Sequence, residues 1–214
     1  MSATSIATES AHGPTRTNTG LSNGLIGVMC FLTSEMALFG SLIFMYLYVR
    51  RASPSWPPCQ MTVGNHCAAV YSPFAWQYPT VNTVILLSSG VTMHFAFQAL
   101  RRGRMRAMYT LLIATIVLGL AFLGGQAYEY TNLIHNEHLT MAVNIYGATF
   151  YMLTGLHGAH VTGGIIFLLV LLIGTWKGRF GLHKPMVPHA ATLYWHFVDA
   201  VWVVLFALFY LTVP

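Results

Sequence analysis

The sequence predicts an all-α integral membrane protein built as a bundle of five transmembrane helices. Only 7% of its 214 residues are charged, and 56% are hydrophobic. About a quarter of the residues in a soluble domain are charged, so this composition excludes a soluble globular protein. The apolar runs are too long and too uniform for barrel strands, whereas a helix satisfies every backbone polar group within one segment in lipid.

Intervals without charged side chains mark the individual helices, because an ionised group in the bilayer core costs several kcal/mol. They predict five spans, at about residues 21–49, 80–100, 107–134, 143–174 and 190–212. The first span holds a single charge, Glu35, and is followed by Arg50 and Arg51. Prolines interrupt the uncharged stretch that comes next, so we predict a loop at about residues 50–79, before the second span.

The later spans are delimited in the same way. Four arginines separate the second helix from the third, and the fourth helix lies within an uncharged run from Leu139 to Trp176. The fifth helix holds one charge, Asp199. Residues 1–20 are rich in Ser and Thr and lack an apolar segment, so we predict a mobile polar tail and not a signal peptide. Residues 21–214 are predicted to form a single domain.

The distribution of Lys and Arg predicts the orientation of the bundle. Eight of the ten lie in the N-terminal tail and in the second and fourth connections, which share one side of the membrane. Only Arg50 and Arg51 lie on the other side. Because short cytoplasmic loops are enriched in basic residues, we predict a cytoplasmic N-terminus and a C-terminus on the outer, periplasmic side.

The second connection contains a cluster of arginines. Its members are Arg101, Arg102, Arg104 and Arg106. Such a cluster can bind nucleic acid, but at the end of a membrane span an anchor to anionic lipid headgroups is favoured. We therefore predict lipid as the partner of these arginines and no nucleic-acid partner.

Two of the three cysteines, Cys59 and Cys67, fall in the first loop. The predicted topology places this loop in the oxidising compartment, where a disulfide can persist. Seven intervening residues allow closure, and two free thiols are the alternative; the sequence leaves both open. Cys30 lies in the first span, where a small packing residue is favoured.

Ionisable residues inside membrane helices are candidate functional residues. Glu35 lies about 18 Å from the start of its helix, near the bilayer centre. A lone carboxyl at that depth is protonated or paired. It either handles protons or contacts another subunit, or it is a neutral acid hydrogen-bonded inside the bundle. Glu129 is predicted near the outer surface, where Tyr128 and Tyr130 suit an interfacial belt.

Histidines and acids also occur together in the last two helices. His157 and His160 stand three residues apart in the fourth helix and are predicted to share a face. His196 and Asp199 have the same spacing in the fifth helix, at a comparable depth. We predict that a histidine contacts a carboxylate between these helices, or contacts Glu35, because the contact neutralises groups that are costly alone.

Ten histidines raise the question of a metal site. Zinc and di-iron centres use paired His and Glu residues, but the sequence has no H-E-x-x-H segment and no Glu-x-x-His pair repeated on two helices. It also lacks a phosphate-binding loop, a nucleophile elbow and a dinucleotide fingerprint. We therefore predict no metal, cofactor or catalytic residue in this chain, with a membrane metalloenzyme as an alternative.

Four segments carry distinctive residues in a fixed order. FLTSEMALFGSLIFMYLY contains Glu35, GGQAYEY contains Glu129, and YGATFYMLTGLHGAHVTGGIIFLLV contains His157 and His160. The last, HAATLYWHFVDAVWVVLFALFYL, covers residues 189–211. Together they resemble subunit III of the haem-copper respiratory oxidases, with its buried glutamate, its second acid, its His-Gly-x-His pair and its C-terminal helix.

The resemblance implies a five-helix bacterial form that begins at the third helix of the seven-helix mitochondrial form and lies in the bacterial inner membrane. It implies a non-catalytic subunit of a proton-pumping oxidase that reduces oxygen to water. Haem and copper would belong to subunits I and II, with small accessory subunits as further partners. The subunit would bind structural phospholipid and support oxygen access and proton uptake.

Two alternatives stay open at this point. Quinol-oxidising members of the family often have Asp at the position of Glu35, so the glutamate favours a cytochrome c oxidase over a quinol oxidase. The other alternative is an independent proton-coupled transporter that uses Glu35, His157 and Asp199 as a relay. A transporter would have to work alone, whereas an oxidase subunit would co-purify with haem, copper and two larger chains.

Overall fold

A computed structural model describes residues 23–54, 56, 60–61, 67–68, 77–135, 141–142, 144–178 and 186–211 of the chain. Its helices are α1 Asn23–Ala52, α2 Gln77–Arg101, α3 Met105–His135, α4 Ile145–Trp176 and α5 Met186–Phe206, and a π-helical turn, Ala207–Leu211, follows α5. Within these described ranges, five helices are long and apolar enough to cross a membrane. The predicted fold class is therefore confirmed.

Three helices begin earlier than predicted, and α3 does so by two residues, at Met105. α2 starts at Gln77 and α5 at Met186, so that Pro79 and Pro188 lie in their first turns. Proline is tolerated there because the first N–H groups of a helix have no intrahelical partner. Within the first connection, β1 Gln60–Met61 and β2 Cys67–Ala68 form a short antiparallel pair. The predicted polar tail at residues 1–20 lies outside the described residues.

The turn between α2 and α3 is closed by a glycine with a left-handed backbone. Gly103 has a φ of 70°. Its N–H donates to the Leu100 carbonyl at 2.9 Å, and the Arg104 N–H donates to the Ala99 carbonyl at 2.9 Å. This pattern is a Schellman motif, which favours glycine at that position. All four arginines of the predicted headgroup anchor are exposed around this turn, which we call the basic end of the bundle.

The centre of the bundle is occupied by two tryptophans of α5. Trp195 and Trp202 are both fully buried, and their spacing of two turns places them on one face of the helix. The indole N–H of Trp195 donates to the Ser89 hydroxyl at 3.0 Å. The indole N–H of Trp202 donates to the Thr83 hydroxyl at 2.9 Å. α2 thus supplies an acceptor for each indole, and α2 and α5 are held in one register.

Two glycines allow α3 and α4 to approach Trp195. A methyl group placed on Gly164 would lie 2.9 Å from the Trp195 ring, and one placed on Gly119 would lie 3.0 Å from it. Small residues let membrane helices pack closely where no hydrophobic effect drives them together. Gly158, in contrast, has nothing within 4 Å of that position. The glycine content of α4 therefore serves internal packing at Gly164 but not at Gly158.

We expect Ser89→Ala to destabilise the bundle, because it leaves the buried Trp195 indole N–H without its acceptor. An unsatisfied buried donor costs about 1–3 kcal/mol. Ser88→Ala is the matched control: Ser88 is exposed, and its hydroxyl bonds only to the Val84 carbonyl of its own helix, at 2.7 Å. Thermal unfolding in lipid–detergent micelles should show a lower midpoint for Ser89→Ala than for Ser88→Ala, and equal midpoints would contradict this account.

α1 lies at the edge of the bundle and contacts α4 and α5 through a narrow strip. Its buried residues are Leu32, Phe39 and Tyr46, which follow one another at intervals of seven. The Tyr46 hydroxyl donates to the carbonyl of Leu208 in the π-helical turn, at 3.2 Å. This bond fixes one end of α1 against the π-helical turn.

Candidate functional site

A hydrogen-bonded acid and histidine join α1 to α4 inside the membrane-spanning region. Glu35 Oε2 lies 2.9 Å from His160 Nε2. The other ring nitrogen, Nδ1, lies 2.9 Å from the carbonyl oxygen of Leu156, one turn back in α4. Both side chains are mostly buried, with exposed fractions of 15% for His160 and 16% for Glu35.

The two contacts of His160 define how many protons the pair holds. A carbonyl oxygen can only accept, so Nδ1 must carry a proton toward Leu156. The contact between Nε2 and Glu35 then needs one further proton, which lies either on the carboxyl or on the ring. In both cases the pair is electrically neutral, either as acid and imidazole or as carboxylate and imidazolium. A neutral pair avoids the cost of an isolated charge in the bilayer.

Aromatic contacts hold this pair in place. The Phe39 ring packs edge-on against the His160 ring, with centroids 5.1 Å apart. The Tyr194 hydroxyl of α5 donates to the backbone carbonyl of His160 at 3.0 Å. Three helices therefore meet at this histidine, and its orientation is set by packing as well as by the acid.

His157 faces a different part of the bundle. It is 1% exposed and packs against Phe122 of α3 and Trp202 of α5, with ring centroids 5.8 Å and 5.0 Å away. Neither of its ring nitrogens has a hydrogen-bond partner among the described residues. The two histidines were predicted to share a face, but a separation of three residues rotates them by about 60°, and α4 has different neighbours on each side. Only His160 reaches an acid.

His196 and Asp199 lie together on α5, three residues apart. His196 Nδ1 is 3.7 Å from Asp199 Oδ2, which is too long for a hydrogen bond. The carboxyl is buried against Gly90 of α2, where a Cβ would overlap it. The His94 ring of α2 lies next to His196, with centroids 6.1 Å apart. The predicted contact between a histidine of α4 and Glu35 is present, through His160. Asp199 does not contact a histidine of α4, and its nearest histidine is His196 of its own helix.

Glu129 is partly buried between α3 and the π-helical turn that follows α5. Its carboxylate accepts from the Tyr210 hydroxyl at 2.6 Å and from the Gln126 amide at 3.2 Å. α3 continues to His135, so Glu129 is more than a turn below its end, and the π-helical turn brings Tyr210 against it. The spacing of Gln126 and Glu129 in GGQAYEY was a usable signal for this pair, whereas nothing in the sequence pointed to Tyr210.

The described residues offer no group of three His, Cys, Asp or Glu side chains that could hold a metal ion. Both ring nitrogens of His160 are already in contact with other groups. Cys30 is exposed on α1. The proposed disulfide cannot be placed, because Cys59 and the side chain of Cys67 lie outside the described part of the chain.

The chain has extensive similarity to named proteins. It matches the sequence profile of the family described as cytochrome c oxidase subunit III over residues 3–213. A cytochrome c oxidase subunit 3 from Synechocystis sp. is 38% identical over 191 residues, which cover 87% of this chain and 75% of the relative. The subunit 3 of Thermostichus vulcanus is 35% identical over 191 residues, which cover 87% and 86%.

A third relative comes from a fungus. The cytochrome c oxidase subunit 3 of Rhizopus stolonifer is 39% identical over 186 residues, which cover 85% of this chain and 61% of the relative. Bacterial and fungal relatives thus share the sequence over nearly the whole of this chain. The resemblance carried by the four ordered motifs is confirmed, and the chain belongs to the cytochrome c oxidase subunit III family of haem-copper oxidase subunits.

Proposed function

We propose that this subunit carries no redox centre and acts as an intramembrane scaffold for the oxidase. Haem and copper would be held by subunits I and II, which bind and reduce oxygen. The observation that carries this proposal is the neutral Glu35–His160 pair, at 2.9 Å. This pair uses the single acid of α1 to hold α1 and α4 together.

The use of the other polar groups supports the same proposal. Glu129 is bonded to Tyr210 and Gln126, and the core hydroxyl of Ser89 is bonded to Trp195. The bonds from Tyr210 to Glu129 and from Trp195 to Ser89 join separate parts of the chain. The bond from Gln126 to Glu129 lies along one face of α3. The described residues contain no group of three or more His, Cys, Asp or Glu side chains that could hold a metal ion.

The subunit is proposed to lie in a bacterial inner membrane with its N-terminus in the cytoplasm. The asymmetry of eight basic residues against two supports this orientation. The exposed arginines of the basic end would then contact the phosphates of the cytoplasmic leaflet, and structural phospholipid would fill the apolar faces beside α1. These contacts would keep oxygen access and proton uptake in the partner subunits working over many turnovers.

The electron donor is proposed to be cytochrome c. The relatives from Synechocystis sp. and Thermostichus vulcanus are both named as subunits of a cytochrome c oxidase. A quinol-oxidising complex is the alternative. Purified complex should therefore oxidise reduced cytochrome c faster than it oxidises a quinol, and the opposite preference would replace this assignment without affecting the scaffold role.

Gentle purification through an affinity tag on this chain tests the proposed function. We expect a complex that contains two larger chains, haem and copper. After the subunits are separated, metal analysis and optical spectra should find the iron and copper with the larger chains. Metal that stays with this chain would overturn the scaffold role, and proton-coupled transport by the chain alone in liposomes would favour the transporter.

A further inference from the structure

A polar patch lies on the outer surface of the bundle where α2 and α5 meet. His94 and Gln98 of α2 are bonded to each other at 2.8 Å, and His196 of α5 lies beside them. His94 is exposed, and the His196 side chain is 42% exposed. We call these three residues the α2–α5 polar patch.

The patch lies within the membrane-spanning segments of α2 and α5. His94 is seven residues before Arg101, and His196 is ten residues after Met186. At 1.5 Å per residue, these positions lie about 10 Å and about 15 Å from the basic end. A polar side chain that faces hydrocarbon at this depth is costly, and such residues normally face other protein or a water-filled space.

The faces of α3 and α4 provide a contrast. Their large exposed residues at mid-membrane are aliphatic, among them Ile113, Val117, Leu120, Ile166 and Val170. The exposed hydroxyl of Thr162 on α4 bonds to the Gly158 carbonyl of its own helix, at 2.8 Å. These faces suit lipid. The α2–α5 polar patch does not, because its imidazoles have hydrogen-bonding atoms that their own helices do not satisfy.

The contact between His94 and Gln98 shows what a partner must supply. The Gln98 amide nitrogen can only donate, so it donates to His94 Nε2, and the proton of the neutral ring lies on Nδ1. No described residue accepts a hydrogen bond from this Nδ1–H. A group that covers His94 must therefore bring a hydrogen-bond acceptor. Hydrocarbon chains have none, whereas a carboxyl, hydroxyl or amide side chain of another helix does.

Part of the α5 surface beside the patch is exposed. Both α1 and α2 pack against α5, so the outer face of α5 is flanked by them. Small or short side chains, Ala200 and Val203, are exposed on this face beyond His196. Small residues at a membrane surface permit a close helix–helix approach. The polar patch and this short-chain surface are therefore continuous.

We propose that the outer face of α5, together with the α2–α5 polar patch, docks against a transmembrane helix of another oxidase subunit that presents a hydrogen-bond acceptor to His94. This proposal rests on the proposed assembly with the larger oxidase subunits. It adds which face of this chain makes the contact and the chemistry of the partner helix. The aliphatic faces of α3 and α4 are left to lipid.

Site-specific photo-crosslinking in the intact oxidase tests this assignment. A photoreactive residue at Ala200 should form an adduct with another subunit of the purified complex. The same residue at Val170 of α4, which is 54% exposed, is the control and should form lipid adducts. Lipid adducts at Ala200, or an adduct with a second copy of this chain, would overturn the proposed surface. An intact complex in that experiment would leave the scaffold function standing.

A second measurement tests the role of the acceptor. His94→Leu should weaken retention of this chain in the complex about five- to tenfold, the effect of one lost hydrogen bond, with unchanged thermal stability of the isolated chain. Phe95→Leu, at the adjacent position, is 50% exposed and should have no effect on retention. Equal retention of His94→Leu and the wild-type chain would contradict the proposed hydrogen bond to the partner helix.

Discussion

Gly164→Leu should prevent the chain from forming a stable bundle. A Cβ at this position would lie 2.9 Å from Trp195 Cζ3 and 3.1 Å from Tyr194 Cε1. Trp195 is fully buried and bonded to Ser89, so it cannot move aside without losing that bond. Overpacking a closely packed core costs about 1–3 kcal/mol or more, and here α4 would have to move away from α5. Size-exclusion profiles and thermal unfolding should show little monodisperse protein.

Gly158→Leu is the matched control on the same helix. Apart from its sequence neighbours and the adjacent backbone of α4, no atom of the described chain lies within 4 Å of a Cβ at Gly158, so the isolated variant should fold as the wild-type chain does. Because the outer face of α4 is assigned to lipid, this variant should also assemble with the oxidase, and a failure to assemble would contradict that assignment. Equal stability of Gly164→Leu and Gly158→Leu would contradict the packing described for Trp195.

Glu35→Ala should loosen α1 from the bundle, whereas Glu35→Gln should not. Alanine leaves His160 Nε2 without a partner and opens a void between α1 and α4, at a cost of about 1–3 kcal/mol. Glutamine retains a donor for Nε2, so assembly should be largely preserved. Because the amide cannot release a proton, Glu35→Gln should at most change the pumping yield or hasten the loss of activity during turnover.

Two measurements separate these outcomes. Unfolding of the purified chain should show a lower stability for Glu35→Ala than for Glu35→Gln. Oxygen consumption by freshly assembled Glu35→Gln oxidase should be close to that of the wild-type complex. A complete absence of oxygen reduction in that fresh complex would contradict a supporting role for this subunit.

The number of helices could be predicted because charged residues are excluded from hydrocarbon, so that each long uncharged interval indicates one membrane span. The residues at which each helix begins and ends were harder to predict. Pro79 and Pro188 looked like loop residues, but both lie in the first turn of a helix, where proline removes no hydrogen bond. The position of a proline relative to a helix start depends on packing that the local sequence does not encode.

The sequence predicted that the buried polar residues need partners, but it did not predict which partners they have. An acid as deep as Glu35 must be neutralised, because an ionised group in the low-dielectric bilayer core is energetically costly. The choice of His160 over His157 depends on where α1 packs around α4, which Phe39 helps to determine. The bond from Tyr210 to Glu129 depends on the π-helical turn at the end of α5. A π-helical turn has no reliable sequence signal, so this contact emerged only from the structure.

A double-mutant cycle between Glu35 and His160 tests the central claim most directly. The free energies of unfolding of Glu35→Ala, His160→Ala and the double variant would be compared with that of the wild-type chain in the same lipid–detergent mixture. The cycle cancels the packing that each side chain contributes separately. We expect a coupling energy of about 0.5–3 kcal/mol between the two positions. Additive effects, with no coupling, would show that the acid and the imidazole do not hold α1 to α4.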